Sequence, residues 1–129
     1  MIKKEELRIG NHISDIYTEN LVLKVKSLGK KICTYGINDF KCSYDKLLPV
    51  KITESALLRC GFSTTFITDP QMPNAQSKWC LGNFQIFKYE EEDFYFFSSF
   101  NSDIVQLRFI HELQNLYFAN KRVELDFFK

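Results

Sequence analysis

The chain has 129 residues, 45% apolar and 16% aromatic, and its 17 Lys and Arg against 16 Asp and Glu leave a formal net charge of +1. This length suits one compact domain or two small subdomains sharing a core, and the apolar share excludes a disordered chain. The near-neutral charge argues against a protein built mainly to coat nucleic acid or anionic membrane, and no apolar run approaches the length of a bilayer span. The charge is uneven, however. Residues 1–51 hold ten Lys and Arg against six Asp and Glu, and residues 52–129 hold seven against ten.

The opening Leu7, Ile9 and Ile13 around Gly10-Asn11 predict a strand entering a tight turn. Leu21, Leu23 and Val25 alternate with Lys24 and Lys26, a half-buried strand that Leu28-Gly29-Lys30-Lys31 turns around. Cys33, Tyr35 and Ile37 alternate next, Asn38-Asp39 breaks the run, and Phe40 to Leu48 offers a further strand. Short strands joined by tight turns over residues 1–50 predict a small, strongly curved SH3-like β-barrel, closed by Pro49.

Thr53 as N-cap, Glu54 in the first turn and Gly61 as a stop bracket a short helix with Ala56, Leu57 and Cys60 as its apolar stripe. Phe62, Thr64 and Phe66 predict a brief strand within segment 63–78, whose Asp69-Pro70 and Met72-Pro73 make it the longest irregular piece. Trp79–Tyr89 and Glu92–Phe100 read as the arms of a hairpin around Glu90-Glu91-Glu92-Asp93. In its second arm Phe94 and Phe96 face one side and Tyr95 and Phe97 the other, so both sides must be covered.

A third strand near residues 105–108 leads into a helix, where Ile110, Leu113, Leu116 and Tyr117 recur at three- and four-residue steps. After Ala119-Asn120-Lys121-Arg122 the step becomes two, through Val123, Leu125 and Phe127, which predicts a closing strand. The expected class is α+β: the barrel over residues 1–50, then an antiparallel sheet with two short helices over residues 51–129.

His111-Glu112-Leu113-Gln114-Asn115 approaches the His-Glu-x-x-His pattern that binds zinc through two imidazoles one helical turn apart. Its second imidazole is replaced by Asn115, and an amide is a poor zinc ligand. The plain reading is a helix with Glu112 and Asn115 toward water and His111, Gln114 and Phe118 on a partly buried flank. The cysteines Cys33, Cys42, Cys60 and Cys80 form no Cys-x-x-Cys pair, and the first eight residues lack the apolar core of a signal peptide. Reduced thiols in a cytoplasmic protein follow from that pattern. No phosphate-binding glycine loop, nucleophile elbow or oriented Cys/His arrangement occurs, so no catalytic residue, metal or cofactor is assigned. The acidic run Glu90–Asp93 reads as a solvated loop.

Three segments carry a resemblance: Glu6-Leu7-Arg8-Ile9-Gly10-Asn11, then Thr53 to Phe62, then the run from His111 to Leu125. In them the chain resembles a family of small uncharacterised proteins from Bacteroidetes genomes and their phages or mobile elements. Members carry a His-Gln-Leu-Gln-Asn-Leu-Tyr-Phe-Ala segment followed by a Gly-containing turn; here Glu112 replaces the first Gln and Asn120-Lys121-Arg122 stands at the turn. The resemblance implies a domain spanning the chain in a cellular setting, and brings no activity with it.

The expected role is therefore a non-enzymatic cytoplasmic interaction protein, of phage or mobile-element origin. Phe94, Tyr95, Phe96 and Phe97 are its candidate interface, toward a partner protein or a second copy. The alternative is a nucleic-acid-binding module using the basic and aromatic groups Lys24, Lys26, Lys30, Lys31 and Tyr35 of the barrel. No membrane association is expected.

Overall fold

The computed structural model describes residues 2–18, 21–66, 75–89, 92–98 and 104–125. Among the described residues, two antiparallel five-stranded sheets and two α-helices make the fold α+β. They fall into two compact units, residues 1–51 with 109–126 and residues 52–108 with 127–129. Residues 109–126 thus belong with the N-terminal sheet, although the sequence reading groups them with residues 51–108.

In the first unit, β1 (His12–Asp15), β2 (Leu23–Leu28), β3 (Ile32–Tyr35), β4 (Phe40–Ser43) and β5 (Leu47–Leu48) lie in the order β4-β3-β2-β1-β5. The sheet curls into a half-barrel, helped by a bulge in β2 between Val25 and Ser27. Phe40–Leu48 is not one strand. A 3-10 turn at Tyr44–Lys46 interrupts it and turns Leu47 and Leu48 onto Asp15 and Ser14 of β1. The predicted opening strand likewise starts late, at His12, because Lys4–Glu6 forms a 3-10 turn and Gly10 takes φ 99°. Period two then does what it should: Ile13, Val25, Cys33, Tyr35 and Leu47 point inward and form a core with Ile2 and Leu7.

Helix α1 is Glu54–Arg59, and α2, Ile110–Lys121, packs on β1. The carboxylate of Glu112 accepts the N–H of Phe109 at 3.0 Å, which caps the start of α2, and Arg122 ends it in a left-handed conformation. Ile110, Leu113 and Gln114 are buried along its inner face. The closing strand is absent over the described residues 123–125, and Asp126 to Phe128 lie outside the described residues. The carbonyl of Leu125 is taken by the Gln114 side chain, which leaves it unavailable to a ladder.

In the second unit, β6 (Ser63–Phe66), β7 (Ala75–Leu81), β8 (Phe84–Tyr89), β9 (Tyr95–Ser98) and β10 (Ile104–Leu107) form a meander ordered β10-β9-β8-β7-β6. Thr53 caps α1 as predicted, its hydroxyl oxygen accepting the Ala56 N–H at 3.1 Å. Trp79–Tyr89 is not a single arm. Gly82-Asn83 folds it into a two-residue hairpin with Leu81 opposite Phe84 and Gly82 at φ 61°, so the sheet gains strands the apolar pattern alone did not separate. Much of segment 63–78 is strand, in β6 and β7; residues 67–74 and the Glu90-Glu91 part of the acidic run lie outside the described residues. Buried Leu57, Phe62, Trp79, Phe84, Ile86, Tyr95, Phe96 and Leu107 make this unit ring-rich. Among the described residues no helix is long and apolar enough to cross a membrane.

Candidate functional site

The first unit concentrates the polar chemistry, in three places. The first joins the Gly10 turn to α2. Gln114, fully buried, accepts the N–H of His12 at 2.8 Å through Oε1 and donates through Nε2 to the carbonyl of Leu125 at 2.8 Å. The same Nε2 lies 2.9 Å from His12 Nδ1, which assigns that ring nitrogen the acceptor role. Asn115, one residue on, accepts from Asn11 Nδ2 at 2.9 Å and Arg8 Nε at 3.2 Å and donates to the carbonyl of Glu6 at 2.7 Å. Asn115 is therefore half-buried and fully engaged, not turned to water. Arg8 completes the group: its guanidinium forks onto Glu124 and lies 4.2 Å from the centre of the Phe118 ring. Every side chain in this cluster has a donor or acceptor opposite it, which is the pattern of a structural clamp.

The second place is the end of β1. Asp15 is buried, yet its carboxylate accepts the N–H groups of Tyr17 (2.9 Å) and Thr18 (2.6 Å), the Thr18 hydroxyl (2.7 Å) and the Tyr35 hydroxyl. Burial pushes the carboxyl up, but these donors together outweigh it and hold Asp15 below its ordinary value. Burial and the bond to Asp15 both push the Tyr35 phenol far above its ordinary range, so it acts as a fixed donor. The same hydroxyl lies 3.4 Å from Cys42 Sγ.

The third is a cavity of about 110 Å³ at the start of α2, lined by Ile2, Glu6, Pro49, Phe109, His111 and Glu112. His111, only 2% exposed, stacks on Phe109 and leaves Nδ1 without a hydrogen-bond partner. Burial lowers its pKa below the ordinary value, against the opposing pull of Glu112 and Glu6. The cavity has room for a few waters on the scale of about 30 Å³ each. Among the described residues no group of three or more His, Cys, Asp or Glu side chains is arranged to hold a metal ion.

The residues singled out from sequence land in different surroundings. Lys24, Lys26, Lys30 and Lys31 are exposed. They are dispersed, however: Lys26 bonds to Asp39 at 2.9 Å, Lys24 approaches Gly10 beside Glu124, and Lys30 and Lys31 sit in the β2–β3 turn. Tyr35 is not on that surface at all, since its ring is 1% exposed and points into the core. In the second unit Tyr95 and Phe96 are buried, while Phe94 and Phe97 are half-buried. Their rings are engaged: Phe96 stacks on Phe87 and Tyr89, Phe97 stacks on Phe84, and Arg108 lies over Phe94. Burial, and then the nearby Glu54 carboxylate, push the Tyr95 phenol up to about 12.

Exposed apolar side chains occur in both units, Tyr17, Leu21, Ile37 and Phe40 in the first and Leu58, Ile104 and Val105 in the second. Ile37, at the tip of the β3–β4 turn, is 92% exposed. Phe40 and the Leu23 side chain flank Gly36 at the base of the same turn. The sequence pattern extends the alternation of Cys33 and Tyr35 to Ile37; Gly36, at φ 78°, ends the strand at Tyr35.

No family model matches this chain, and no curated protein and no solved structure matches it.

Proposed function

We propose that the protein is a non-enzymatic interaction protein whose N-terminal unit is a small SH3-like barrel and whose β3–β4 tip is the contact surface. One observation carries this reading: Ile37 stands 92% exposed on a short, hydrogen-bonded hairpin, with exposed Phe40 beside it. Ile37 and Phe40 together leave apolar area in water on one short turn, and covering that area with another surface is favourable. The strand order β4-β3-β2-β1-β5, with a 3-10 turn before the last strand, supports the barrel assignment. Exposed Lys41 on β4, next to the β3–β4 tip, favours a partner protein with carboxylates beside its apolar contact. Membership of the Bacteroidetes and phage family belongs to the same proposal. The segments that carry that resemblance, around Asn11 and around Gln114-Asn115, meet in one clamp.

The test is co-purification from the native host with wild type, Ile37→Asp and a Lys30→Glu/Lys31→Glu control, alongside sedimentation of the purified chain. A protein retained by wild type and control but lost with Ile37→Asp supports the reading. Retention by all three, or self-association through the same tip, removes the partner assignment. Nucleic-acid binding through the exposed lysines is the alternative, and the burial of Tyr35 leaves it without the stacking ring first expected. Unchanged fluorescence anisotropy of mixed oligonucleotides at low salt discards it.

A further inference from the structure

Cys33 and Cys42 stand directly opposite each other on the neighbouring antiparallel strands β3 and β4. Residues so paired project to the same side of the sheet, and here that side is the core: Cys33 is wholly buried, and Cys42 is half-buried and packs against the same cluster. Cα atoms of such partners sit about 4.5–5.5 Å apart, inside the roughly 4.4–6.8 Å span that a disulfide bridges. Both thiols are free. Cys60 and Cys80 lie in the other unit and have no such register to each other.

We propose that Cys33 and Cys42 form a reversible cross-strand disulfide when the protein meets a low-molecular-weight disulfide, RSSR. The chemistry has a fixed order. Cys42 is the partly exposed thiol, so its thiolate attacks a sulfur of RSSR; the Cys42–S–S–R bond forms, the S–S bond of RSSR breaks, and the first thiolate RS⁻ leaves. The buried Cys33 thiolate then attacks Cys42 Sγ, the Cys33–Cys42 bond forms, and the second RS⁻ leaves. The protons given up by the two cysteines are taken by the departing thiolates, so the pair is oxidised by two electrons and RSSR becomes two RSH.

Burial pushes the Cys33 thiol up to about 11, helped by its neighbour Cys42. Burial likewise raises Cys42, although the Tyr35 hydroxyl at 3.4 Å works the other way. The thiolate is the reactive form, so exchange is slow at neutral pH and quickens as pH rises. The bond closes a hairpin that carries Ile37 at its tip, and a closed hairpin has fewer unfolded conformations to lose.

The experiment treats the native, full-length protein with 2-hydroxyethyl disulfide at neutral and mildly alkaline pH, blocks remaining thiols after denaturation, and maps peptides by mass spectrometry. The expected result is a Cys33–Cys42 linked peptide, complete loss of Cys33 labelling, faster linkage at the higher pH, and full reversal by dithiothreitol. In Cys33→Ala the reaction should stop at a mixed disulfide on Cys42, and in Cys42→Ser Cys33 should stay reduced. Wild type that stops at the Cys42 mixed disulfide overturns the proposal, as does wild type in which neither thiol reacts while folded. Linkage of Cys33 or Cys42 to Cys60 or Cys80 instead overturns it equally.

Discussion

The side chain of Gln114 satisfies His12 twice, its Oε1 accepting the backbone N–H at 2.8 Å and its Nε2 lying 2.9 Å from the ring Nδ1. One amide from α2 therefore serves both a donor and an acceptor at the start of β1, and its second donor interaction holds the Leu125 carbonyl. A buried polar group costs most when its partner is removed and it is left in place.

Gln114→Leu keeps the volume and removes the bonds to the His12 N–H, the His12 ring and the Leu125 carbonyl. The expected loss is about 2–4 kcal/mol in urea unfolding with little change in slope. A loss below about 1 kcal/mol would mean that water takes over these groups. By contrast, Arg8 and Glu124 are partly exposed, so breaking their ion pair with Glu124→Gln should cost only about 0.2–1 kcal/mol.

Tyr35→Phe takes one donor from the buried carboxylate of Asp15 and should destabilise the protein by about 1.5–3 kcal/mol at neutral pH. Asp15 is held below its ordinary pKa in the folded state, so its contribution is present above the unfolded value and lost as pH falls through the folded one. The variant raises the folded value, which should move the acid-unfolding midpoint to higher pH. Circular dichroism against pH reads this directly, and a midpoint that stays put would show that the Thr18 and Tyr17 donors suffice.

His111 makes the opposite kind of case, because its Nδ1 has no partner. Burial lowers the folded pKa, so the unfolded chain binds the extra proton first and stability falls as pH drops below the ordinary histidine value toward the folded one. His111→Phe replaces the orphan nitrogen with an apolar ring beside a cavity of about 110 Å³ that has room for it. The expected outcome is stability equal to or about 1 kcal/mol above wild type, with the slope between about pH 8 and pH 5 reduced. A loss of more than about 1 kcal/mol would show that the imidazole has a bonding role after all.

Phe96→Ala removes the ring that stacks on Phe87 at 5.3 Å and Tyr89 at 4.8 Å and should cost about 3–5 kcal/mol. Ile37→Asp, at a side chain 92% exposed, should stay within about 0.5 kcal/mol of wild type in the same thermal or urea unfolding measurement. If the two variants lose equal stability, the β3–β4 tip is part of a core and is not a contact surface.

Much of the secondary structure was legible in the chain itself. Thr53 and Gly61 bracket α1, and the three- and four-residue steps of Ile110 and Leu113 mark α2. The alternation from Leu23 to Tyr35 marks β2 and β3. The misses came where a short signal competed with a longer one. Gly82-Asn83 is a hairpin turn set inside an apolar run, and Tyr44–Lys46 is a 3-10 turn inside a run of strand formers. The site residues were hardly legible. Tyr35 reads as a surface ring by its lysine neighbours, but its place in β3 turns it inward onto Asp15.

Periodicity, caps and turn residues act over a few positions along the chain, so sequence by itself determined the α+β class, most element positions and the aromatic content of the second sheet. Only the tertiary structure decided that Gln114 and Asn115 meet Asn11 and His12, that Cys33 faces Cys42, and that Ile37 is left in water. The physical reason is that a side-chain amide or thiol finds its partner among groups the backbone ladders leave unpaired or bring into register. Which groups those are is settled only when segments distant in sequence have packed.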